Sequence, residues 1–446
     1  MFHPHTDTDR EKMLAAIGAK SLEELFEIVP EDIRFPDLDL PKTHSEMEAY
    51  NALYGLHTKN VPGIRMPNFL GAGAYRHYVP AAVDAILRRG EFFTAYTPYQ
   101  PEISQGTLQA IFEYQSHVIN LTGMDASNAS HYDGATAAAE AVNMAYGISR
   151  KKKKKAIISP ALHPHYRETI DTYFKPADFD IGGEDLDPWS NPDTLIDSID
   201  EDTACVVVQY PDFFGRVFDY TALGKAAHEA GSLLVMVVNP MALGMLKAPS
   251  EFDADIVCGE GQPFGIGLSY GGPYLGMLAT KKKHVRSLAG RIVGETEDLV
   301  ERKRGYVLTL SAREQHIRRE RASSNICSNQ GLMALAATIY LTMVGKEGLR
   351  EVAELCYQNA HYAASQIAGL DNFELVTDQT FFNEFVVKCP KPAEEINKAL
   401  LEKGIIGGYE IGKDFDGMEN HLMFAVTELN PKEDIDALVS ALKEVA

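Results

Sequence analysis

Residues 233–276 constrain the fold more than any other part of the chain. They begin with Leu233–Val238, the run LLVMVV, which lacks helical periodicity and is rich in valine. An uninterrupted apolar run of this kind is typical of a strand buried on both faces of a parallel sheet. A second short apolar piece at 255–258 is followed by a glycine-rich turn and by Gly271-Gly272-Pro273. We therefore expect an α/β fold with a mostly parallel central sheet.

This α/β pattern resembles the large class of enzymes that use pyridoxal phosphate (PLP). In that class an Asp after the first strand pairs with the pyridinium nitrogen, and about two dozen residues later a Lys holds the cofactor as a Schiff base. Here those positions carry Asn239 and Gln262. A Gln amide nitrogen is not nucleophilic and cannot form the imine, and Asn has no negative charge to keep the ring protonated. The chain therefore resembles a PLP scaffold from which both chemical anchors have been removed.

The composition narrows the kinds of partner and site. The 446 residues include 42 Lys and Arg against 63 Asp and Glu, a net charge of -21. Such a surface repels nucleic acid and anionic membranes, although an ordinary acidic cytoplasmic protein has the same charge. The five cysteines are widely spaced and form no C-x-x-C pair, which argues against a disulfide framework and a zinc site. We expect no metal and no nucleic-acid partner.

The apolar segments predict no membrane association. The longest of them, at 331–345, is shorter than the roughly 20 residues that a membrane-spanning helix needs. The first residues, MFHPHTDTDREK, lack the apolar core with basic flanks that a signal peptide has. We expect a cytoplasmic protein.

The chain is predicted to have three regions. Residues 1–65 form an N-terminal helical arm, residues 66–328 the large α/β domain, and residues 329–446 a smaller α+β domain. In the arm, Thr8 or Asp9 is expected to cap one helix, and a capping box beginning at Ser21 starts a second. In the last region, an apolar helix at 330–344 is expected before strands at 373–376, 382–388, 404–411 and 421–425 and helices at 393–403 and 431–445.

Five longer motifs make the resemblance more specific. They are PNFLGAGAYRHYVP, FFTAYTPYQPEISQGTLQA, HYDGATAAAEA, GEGQPFGIGLSYGGPYLG and REQHIRRERASSNICSNQGLMALAATIYL. Together they resemble the alpha subunit of the glycine cleavage system P-protein, over essentially the whole chain. The resemblance implies a large PLP-transferase-like domain of fold type I and an α2β2 assembly whose beta subunit carries the PLP lysine. It also implies that the assembly decarboxylates glycine and transfers the aminomethyl group to the lipoyl arm of the H-protein.

A vestigial cofactor cup follows from this resemblance. Gly134, with Ala135 and Thr136 after it, begins a predicted helix. A helix N-terminus offers backbone N–H groups and a positive dipole end, and the PLP class holds the cofactor phosphate at such a place. Any tight strand-to-helix turn also uses glycine, so this signal alone is weak.

The ring that stacks on the cofactor in the PLP class has its counterpart near the start of a later helix. His163, His165 and Tyr166 lie there, and we choose His165, with a surface histidine as the alternative. The resemblance implies that this cup holds no covalent PLP and that the cofactor lies on the beta subunit. The cup comprises Gly134, Ala135, Thr136, His165, Asn239 and Gln262.

Two further segments are candidates for contacts with a neighbouring active site. The loop YTPYQPEISQG contains Tyr96 and Tyr99, and polar aromatic residues suit a specific contact surface. Both could also simply pack with their hydroxyls at the rim.

Arginines cluster in the other segment. Arg313, Arg318, Arg319 and Arg321 precede Ser323, Ser324 and Asn325. A guanidinium suits a carboxylate of a substrate or of an acidic carrier protein. Alternatively, these arginines form ion pairs with acidic residues of the same chain or of another subunit. We expect Tyr96, Tyr99, Arg318 and Arg319 to line the partner's site or the access path of the lipoyl arm, and we assign no catalytic residue to this chain.

Two other functions remain open. An autonomous PLP enzyme such as an aminotransferase would need another lysine, and Asn239 and Gln262 argue against it. A non-catalytic regulatory or binding subunit with a PLP fold would leave the turnover of its partner independent of this chain.

Overall fold

The structure is a computed structural model that describes residues 4–311, 314–322 and 324–445. Two compact units are present, Met1–Pro62 and Gly63–Ala446. The predicted boundary between large and small domains at 328 stays a prediction. Arg313 and Ser323 of the arginine-rich segment lie outside the described residues.

The first unit contains two capped helices, α1 (Asp7–Ile17) and α2 (Glu46–His57). The N-cap of α1 is Thr6, not Thr8 or Asp9, because Thr6 is the residue that forms a reciprocal capping box with Asp9 three positions later. The second predicted helix is also corrected: only a short 3-10 turn, Glu23–Phe26, forms. A segment this short gains little from helical hydrogen bonds unless it packs against a core, and this turn has no buried residue.

The larger unit is built on a seven-stranded sheet in the order β1-β7-β6-β5-β4-β2-β3. The strands are β1 (Ala126–Ser127), β2 (Lys155–Ile158), β3 (Asp180–Gly182), β4 (Thr203–Tyr210), β5 (Leu233–Val238), β6 (Ile256–Glu260) and β7 (Gly276–Thr280). The strands from β3 to β6 in that order are parallel, and β7 and β1 add antiparallel edges. The predicted mostly parallel sheet and its central strand are confirmed.

The alternating side chains of β5 explain its unbroken apolar sequence. Leu234 and Met236 belong to the main core, whereas Val235 and Val237 belong to a second core on the other face. The helices that cover the sheet and its flanks are α3 (Ala81–Leu87), α4 (Gly90–Phe93), α5 (Gln105–Thr122), α6 (Gly134–Ile148), α7 (Pro164–Phe174) and α8 (Thr221–Glu229). Both faces of β5 are therefore buried, as its composition predicts.

The sheet is followed by an antiparallel hairpin, β8 (Ile292–Glu297) and β9 (Arg304–Thr309), and by a short helix, α9 (Gln315–Arg318). The long helix α10 (Gly331–Ala368) continues beyond the predicted end at 344 and is interrupted at Gly345, whose φ is 60°. By length and composition alone α10 could cross a membrane, but Leu335 and Tyr340 are part of the main core. A buried core helix has the same composition as a spanning one.

A small antiparallel sheet completes the chain in the order β10-β11-β13-β12. It comprises β10 (Glu374–Leu375), β11 (Glu384–Lys388), β12 (Tyr409–Glu410) and β13 (His421–Ala425), with helices α11 (Ala393–Glu402) and α12 (Lys432–Val445). These elements confirm the predicted strands and helices. The buried Phe69 binds this sheet through its carbonyl, which accepts the N–H of Ala425 at 2.8 Å, so that residues 71–75 pass between the two sheets.

Candidate functional site

A small cavity lies at the carboxyl ends of β4, β5 and β6, where open parallel sheets place their sites. Its volume is about 30 Å³, enough for about two water molecules, whereas ligand pockets usually exceed about 300 Å³. It is lined by Gly73, Tyr75, His163, Tyr166, Gln209, Val237, Val238, Asn239, Pro240 and Glu260. Asn239 is the one residue of the predicted cup that lines this cavity, which is nearly filled.

Gln262 is buried beside this cavity, and every N–H and C=O group of its side-chain amide is hydrogen-bonded within the chain. Its Nε2 donates to the carbonyl oxygens of Tyr75 at 2.8 Å and Ile266 at 2.7 Å, and its Oε1 accepts the N–H of Tyr75 at 2.9 Å. Gln262 thus pairs with both backbone groups of Tyr75 as a neighbouring strand would. Asn239 is half-buried directly after β5, and its Oδ1 accepts the N–H of Met241 at 3.1 Å, which stabilises the turn there.

Glu260, the last residue of β6, places a carboxylate at the N-terminus of α6. Its Oε2 accepts the N–H of Gly134 at 2.9 Å, and its Oε1 accepts those of Gln262 at 2.9 Å and Leu275 at 2.8 Å. Burial raises the pKa of Glu260 to about 7, and the three backbone N–H donors oppose the rise. Glu260 is not among the predicted site residues; a charged side chain ending an apolar, buried strand was the available signal.

The start of α6 is closely packed. A Cβ on Gly134 would clash with the hydroxyl of Tyr166 and lie 2.9 Å from its Cζ, so a larger residue would have to displace Tyr166. The N–H of Thr136 donates to Oδ1 of Asp133 at 2.8 Å in a capping box. Ala135 lies half-buried between them. Of the three predicted residues, Gly134 donates its N–H to Glu260, which lines the cavity, while Thr136 serves the cap.

The ring that lines the cavity belongs to His163, and His165 is exposed on α7. His163 is the N-cap of α7: its Nδ1 accepts the N–H of His165 at 3.1 Å, so its Nε2 carries the proton and donates to the carbonyl of Ala72 at 2.9 Å. Burial lowers the pKa of His163 to about 4, and the neutral ring stacks on Tyr166 at 5.0 Å. The ring at the cavity is therefore that of His163 and not the predicted His165, because His163, as the N-cap of α7, turns inward, whereas His165 is exposed.

A second buried carboxyl holds the segment between the two sheets. Glu384 of β11 accepts the N–H of Ala72 and the hydroxyl of Tyr75, each at 2.7 Å. Burial raises the pKa of Glu384 to about 7. Tyr75 therefore binds Gln262 of the large domain through its backbone and Glu384 of the small sheet through its side chain.

The two predicted contact segments are brought together by a buried arginine. Arg291 donates from Nη2 to the hydroxyl of Tyr99 at 2.8 Å and from Nη1 to Oγ of Ser328 at 3.3 Å. Its Nε lies 3.7 Å from Oε2 of Glu314. The ring of Tyr99 also contacts that of His316 edge-on, at 6.0 Å. The Tyr99 loop and the arginine-rich segment are thus neighbours, which sequence spacing could not indicate.

Next to this contact lies a largely apolar groove of about 230 Å³, here called the Tyr96 groove. It is lined by Phe92, Phe93, Ala95, Tyr96, Thr97, Pro98, Thr107, Ala110, Ile111, Ser328, Asn329, Gly331, Leu332, Ala334 and Leu335. Tyr96 is 86% exposed at its rim. Arg318 and Arg319 lie exposed at the end of α9.

One group of described residues has the composition of a metal site. His77, Cys356 and Glu428 have ligand atoms within 4.8 Å of one another. The carboxylate of Glu428 is already bound by the ring of His77 at 2.7 Å and the N–H of Tyr78 at 2.7 Å. Burial raises the pKa of the Cys356 thiol, which disfavours the thiolate that metals need. This cluster is explained by packing and hydrogen bonding alone.

Comparison with known proteins decides the family. The family model described as glycine cleavage system P-protein matches residues 1–442. The chain belongs to the glycine cleavage system P-protein family. A P-protein relative from Thermomicrobium roseum, named probable glycine dehydrogenase (decarboxylating) subunit 1, is 51% identical over 446 residues, which are 100% of this chain and 99% of the relative. A relative of the same name from Brevibacillus brevis is 51% identical over 99% of this chain and 98% of its own.

Solved structures agree with this assignment to the P-protein family. A crystal structure of glycine decarboxylase (P-protein) of the glycine cleavage system, in inhibitor-bound form, matches with a TM-score of 0.90 and 42% identity over 100% of both chains. A glutamate decarboxylase from Lactobacillus brevis matches with a TM-score of 0.70 at 14% identity, over 94% of this chain and 97% of that chain, and supports the fold alone. The predicted PLP-transferase-like fold of type I is confirmed.

Proposed function

We propose that this chain is the alpha subunit of a glycine dehydrogenase (decarboxylating), active in an α2β2 assembly with a PLP-bearing beta subunit. The assembly decarboxylates glycine and transfers the aminomethyl group to the lipoyl arm of the H-protein. The observation that carries the proposal is similarity over the whole chain to relatives named as subunit 1 of this enzyme. A subunit 1 requires at least one other subunit.

The chain's own cup does not fit PLP. Position 262 offers an amide whose hydrogen-bonding groups are all engaged, so no amine is available for a Schiff base. The N-terminus of α6 faces the Glu260 carboxylate, and a phosphate there would meet a like charge. The remaining volume is about 30 Å³. These features support a cofactor-free subunit whose partner holds the PLP.

The exposed apolar side chains of the first unit support the presence of a partner subunit. Several large apolar side chains along it are exposed, among them Ile28 at 93% and Leu53 at 66%. Exposed apolar side chains at this density mark surfaces that other chains cover. We infer that the arm packs on another subunit of the assembly.

The Tyr96 groove and the neighbouring arginines are proposed to face the partner's active site or the access path of the lipoyl arm. The groove is lined mostly by apolar residues, which suits an alkyl chain that ends in a dithiolane. Tyr99, held by Arg291, fixes one wall. Arg318 and Arg319 would meet acidic groups of the H-protein.

The deciding experiment measures glycine-dependent exchange of labelled carbon dioxide together with PLP absorbance. The samples are this chain, the beta subunit, and both mixed with lipoylated H-protein. Exchange and absorbance in the mixture, with neither in this chain alone, are expected. Absorbance in the lone chain would mean that another lysine binds the cofactor, and the proposal would fail.

The same assay tests the regulatory alternative, which the nearly filled cup favours. A regulatory subunit leaves exchange by the beta subunit intact without this chain, whereas an obligatory subunit does not. Replacing both Tyr96 and Tyr99 with alanine should lower exchange in the mixture, while Tyr78→Ala, an exposed tyrosine outside the groove, should not. Unchanged exchange in the double variant would exclude the loop from the site.

A further inference from the structure

We propose that the Glu260 carboxylate occupies, from within the chain, the anion seat at the N-terminus of α6, and that with Gln262 it closes the cup to any ligand. The relevant contacts join a side chain of β6 to the first backbone N–H of a 15-residue helix. A helix of this length presents partial positive charge at that end. Phosphates and carboxylates bind at such ends for the same reason.

Both carboxylate oxygens of Glu260 accept hydrogen bonds, as the oxygens of a bound anion would. Three backbone N–H groups, from Gly134, Gln262 and Leu275, lie within 2.9 Å of its two oxygens. The side chain is only 7% exposed. All three contacts are N–H groups that donate to the carboxylate. A bound phosphate would accept hydrogen bonds from the same kind of donors.

The space beside the seat is also filled. The hydroxyl of Tyr166 lies against Gly134, where even a methyl group would clash. The adjoining cavity of about 30 Å³ does not admit a phosphate together with the carboxylate. An anion from solution can therefore enter only if the Glu260 side chain is removed.

Gln262 closes the opposite end of the cup. Its N–H binds Glu260, while its side chain binds both backbone groups of Tyr75. Glu260 and Gln262 therefore hold each other in place, and Gln262 also holds the segment around Tyr75 that covers the cavity. Restoring a lysine at position 262 alone would leave the anion seat filled, so it should not restore cofactor binding.

The first test is rescue by small anions in the full chain. Glu260→Ala is expected to lower the Tm by several degrees, because three buried N–H groups lose their acceptor. Phosphate or acetate should recover at least half of the loss, and chloride at the same ionic strength should not. Glu140→Ala is the matched control, since Glu140 is equally buried on α6 but binds Ser324 and Asn143 side chains.

The outcomes separate clearly. Recovery in Glu260→Ala, none in Glu140→Ala and no phosphate effect on the unsubstituted chain support the proposal. Equal stabilisation of the unsubstituted chain by phosphate would mean that the seat is open, and absence of recovery by any anion would mean that Glu260 does not fill an anion seat. Either result overturns the proposal.

A second measurement serves if Glu260→Ala does not fold. Gln262→Lys is incubated with PLP, reduced with borohydride and digested, and the peptide containing position 262 is weighed by mass spectrometry. No pyridoxyl group at that position is expected, whereas its attachment to most of the protein would overturn the proposal. Because the test uses this chain alone, its failure would leave the assignment as a subunit of the glycine-cleaving assembly untouched.

Discussion

Oε2 of Glu260 and the backbone nitrogen of Gly134 lie 2.9 Å apart, in a contact between β6 and the first residue of α6. The same carboxylate accepts two further backbone N–H groups. Glu260→Gln would turn an amide NH2 towards at least one of these fixed donors, because a carboxamide has only one accepting oxygen. We expect a loss of about 1–3 kcal/mol in the free energy of unfolding, measured by urea denaturation near neutral pH. Glu229→Gln, at an exposed site of α8, should change it by less than about 0.5 kcal/mol; an equal loss in both variants would contradict this.

Replacing Glu384 with glutamine should stabilise the chain near neutral pH, whereas the same replacement at Glu260 should destabilise it. One of its two partners is the hydroxyl of Tyr75, which can rotate to accept from an amide. Because burial raises the pKa of Glu384 in the folded chain from 4.5 to about 7, the folded state retains a proton that the unfolded state loses. This contribution to stability is complete below about pH 4.5 and declines as the pH rises to about 7.

Glu384→Gln removes this pH dependence. The variant and the unsubstituted chain should be similarly stable near pH 4.5, and the variant should be more stable above pH 7 by on the order of 3 kcal/mol at most. Urea denaturation over this pH range provides the measurement. Parallel pH profiles for the two proteins would show that Glu384 does not titrate with a raised pKa.

Gly134→Ala should destabilise the chain through a steric clash. The added methyl group meets the Tyr166 hydroxyl and lies 3.0 Å from Cβ of Glu260, and overpacking of this kind costs about 1–3 kcal/mol. Tyr166→Phe in the same chain should recover part of the loss, because it removes the nearest atom. A double-mutant cycle of thermal unfolding measures the coupling, and strict additivity would rule out the clash.

Arg291→Lys should weaken the contact surface without unfolding the chain. A lysine ammonium cannot reach Tyr99 and Ser328 together as the guanidinium does. In the mixture with beta subunit and H-protein we expect kcat/KM for the H-protein to fall about tenfold, with the PLP absorbance of the partner unchanged. Arg304→Lys, at an exposed position of β9, is the control and should keep its kcat/KM. An unchanged value in Arg291→Lys would separate this arginine from carrier recognition.

The elements that apolar periodicity specifies were predictable from the sequence. Leu233–Val238 and Ala393–Glu402 form as expected, because burial on two faces or on one helical face leaves a direct mark on composition. The assignment of Asn239 and Gln262 to the two anchor positions of the PLP class stays a prediction from the resemblance. The N-cap of α1 was not predictable, since Thr6, Thr8 and Asp9 all have capping side chains and only geometry selects among them.

The contacts within the cup depended on distant parts of the chain. Glu260 binds Gly134 across 126 positions, and Gln262 binds Tyr75 across 187; local patterns carry no information about such pairs. His163 and His165 lie two positions apart at the start of α7, and which of them turns inward depends on the residue at which the helix begins, which sequence alone does not fix to within one or two residues. The burial of Arg291 could not be predicted, because most arginines are exposed and nothing local in the sequence marks the buried ones.

The position of Tyr75 has a mechanical consequence. Its backbone is held by Gln262 on the large sheet and its hydroxyl by Glu384 on the small sheet. A hinge opening between the sheets would leave buried donors and acceptors without partners, and each of these costs about 1–3 kcal/mol. Two-lobed enzymes often enclose a substrate by closing one lobe over the other. In this chain that movement is opposed, so we expect any closure around glycine to occur in the partner, with this subunit as the rigid wall against which it closes.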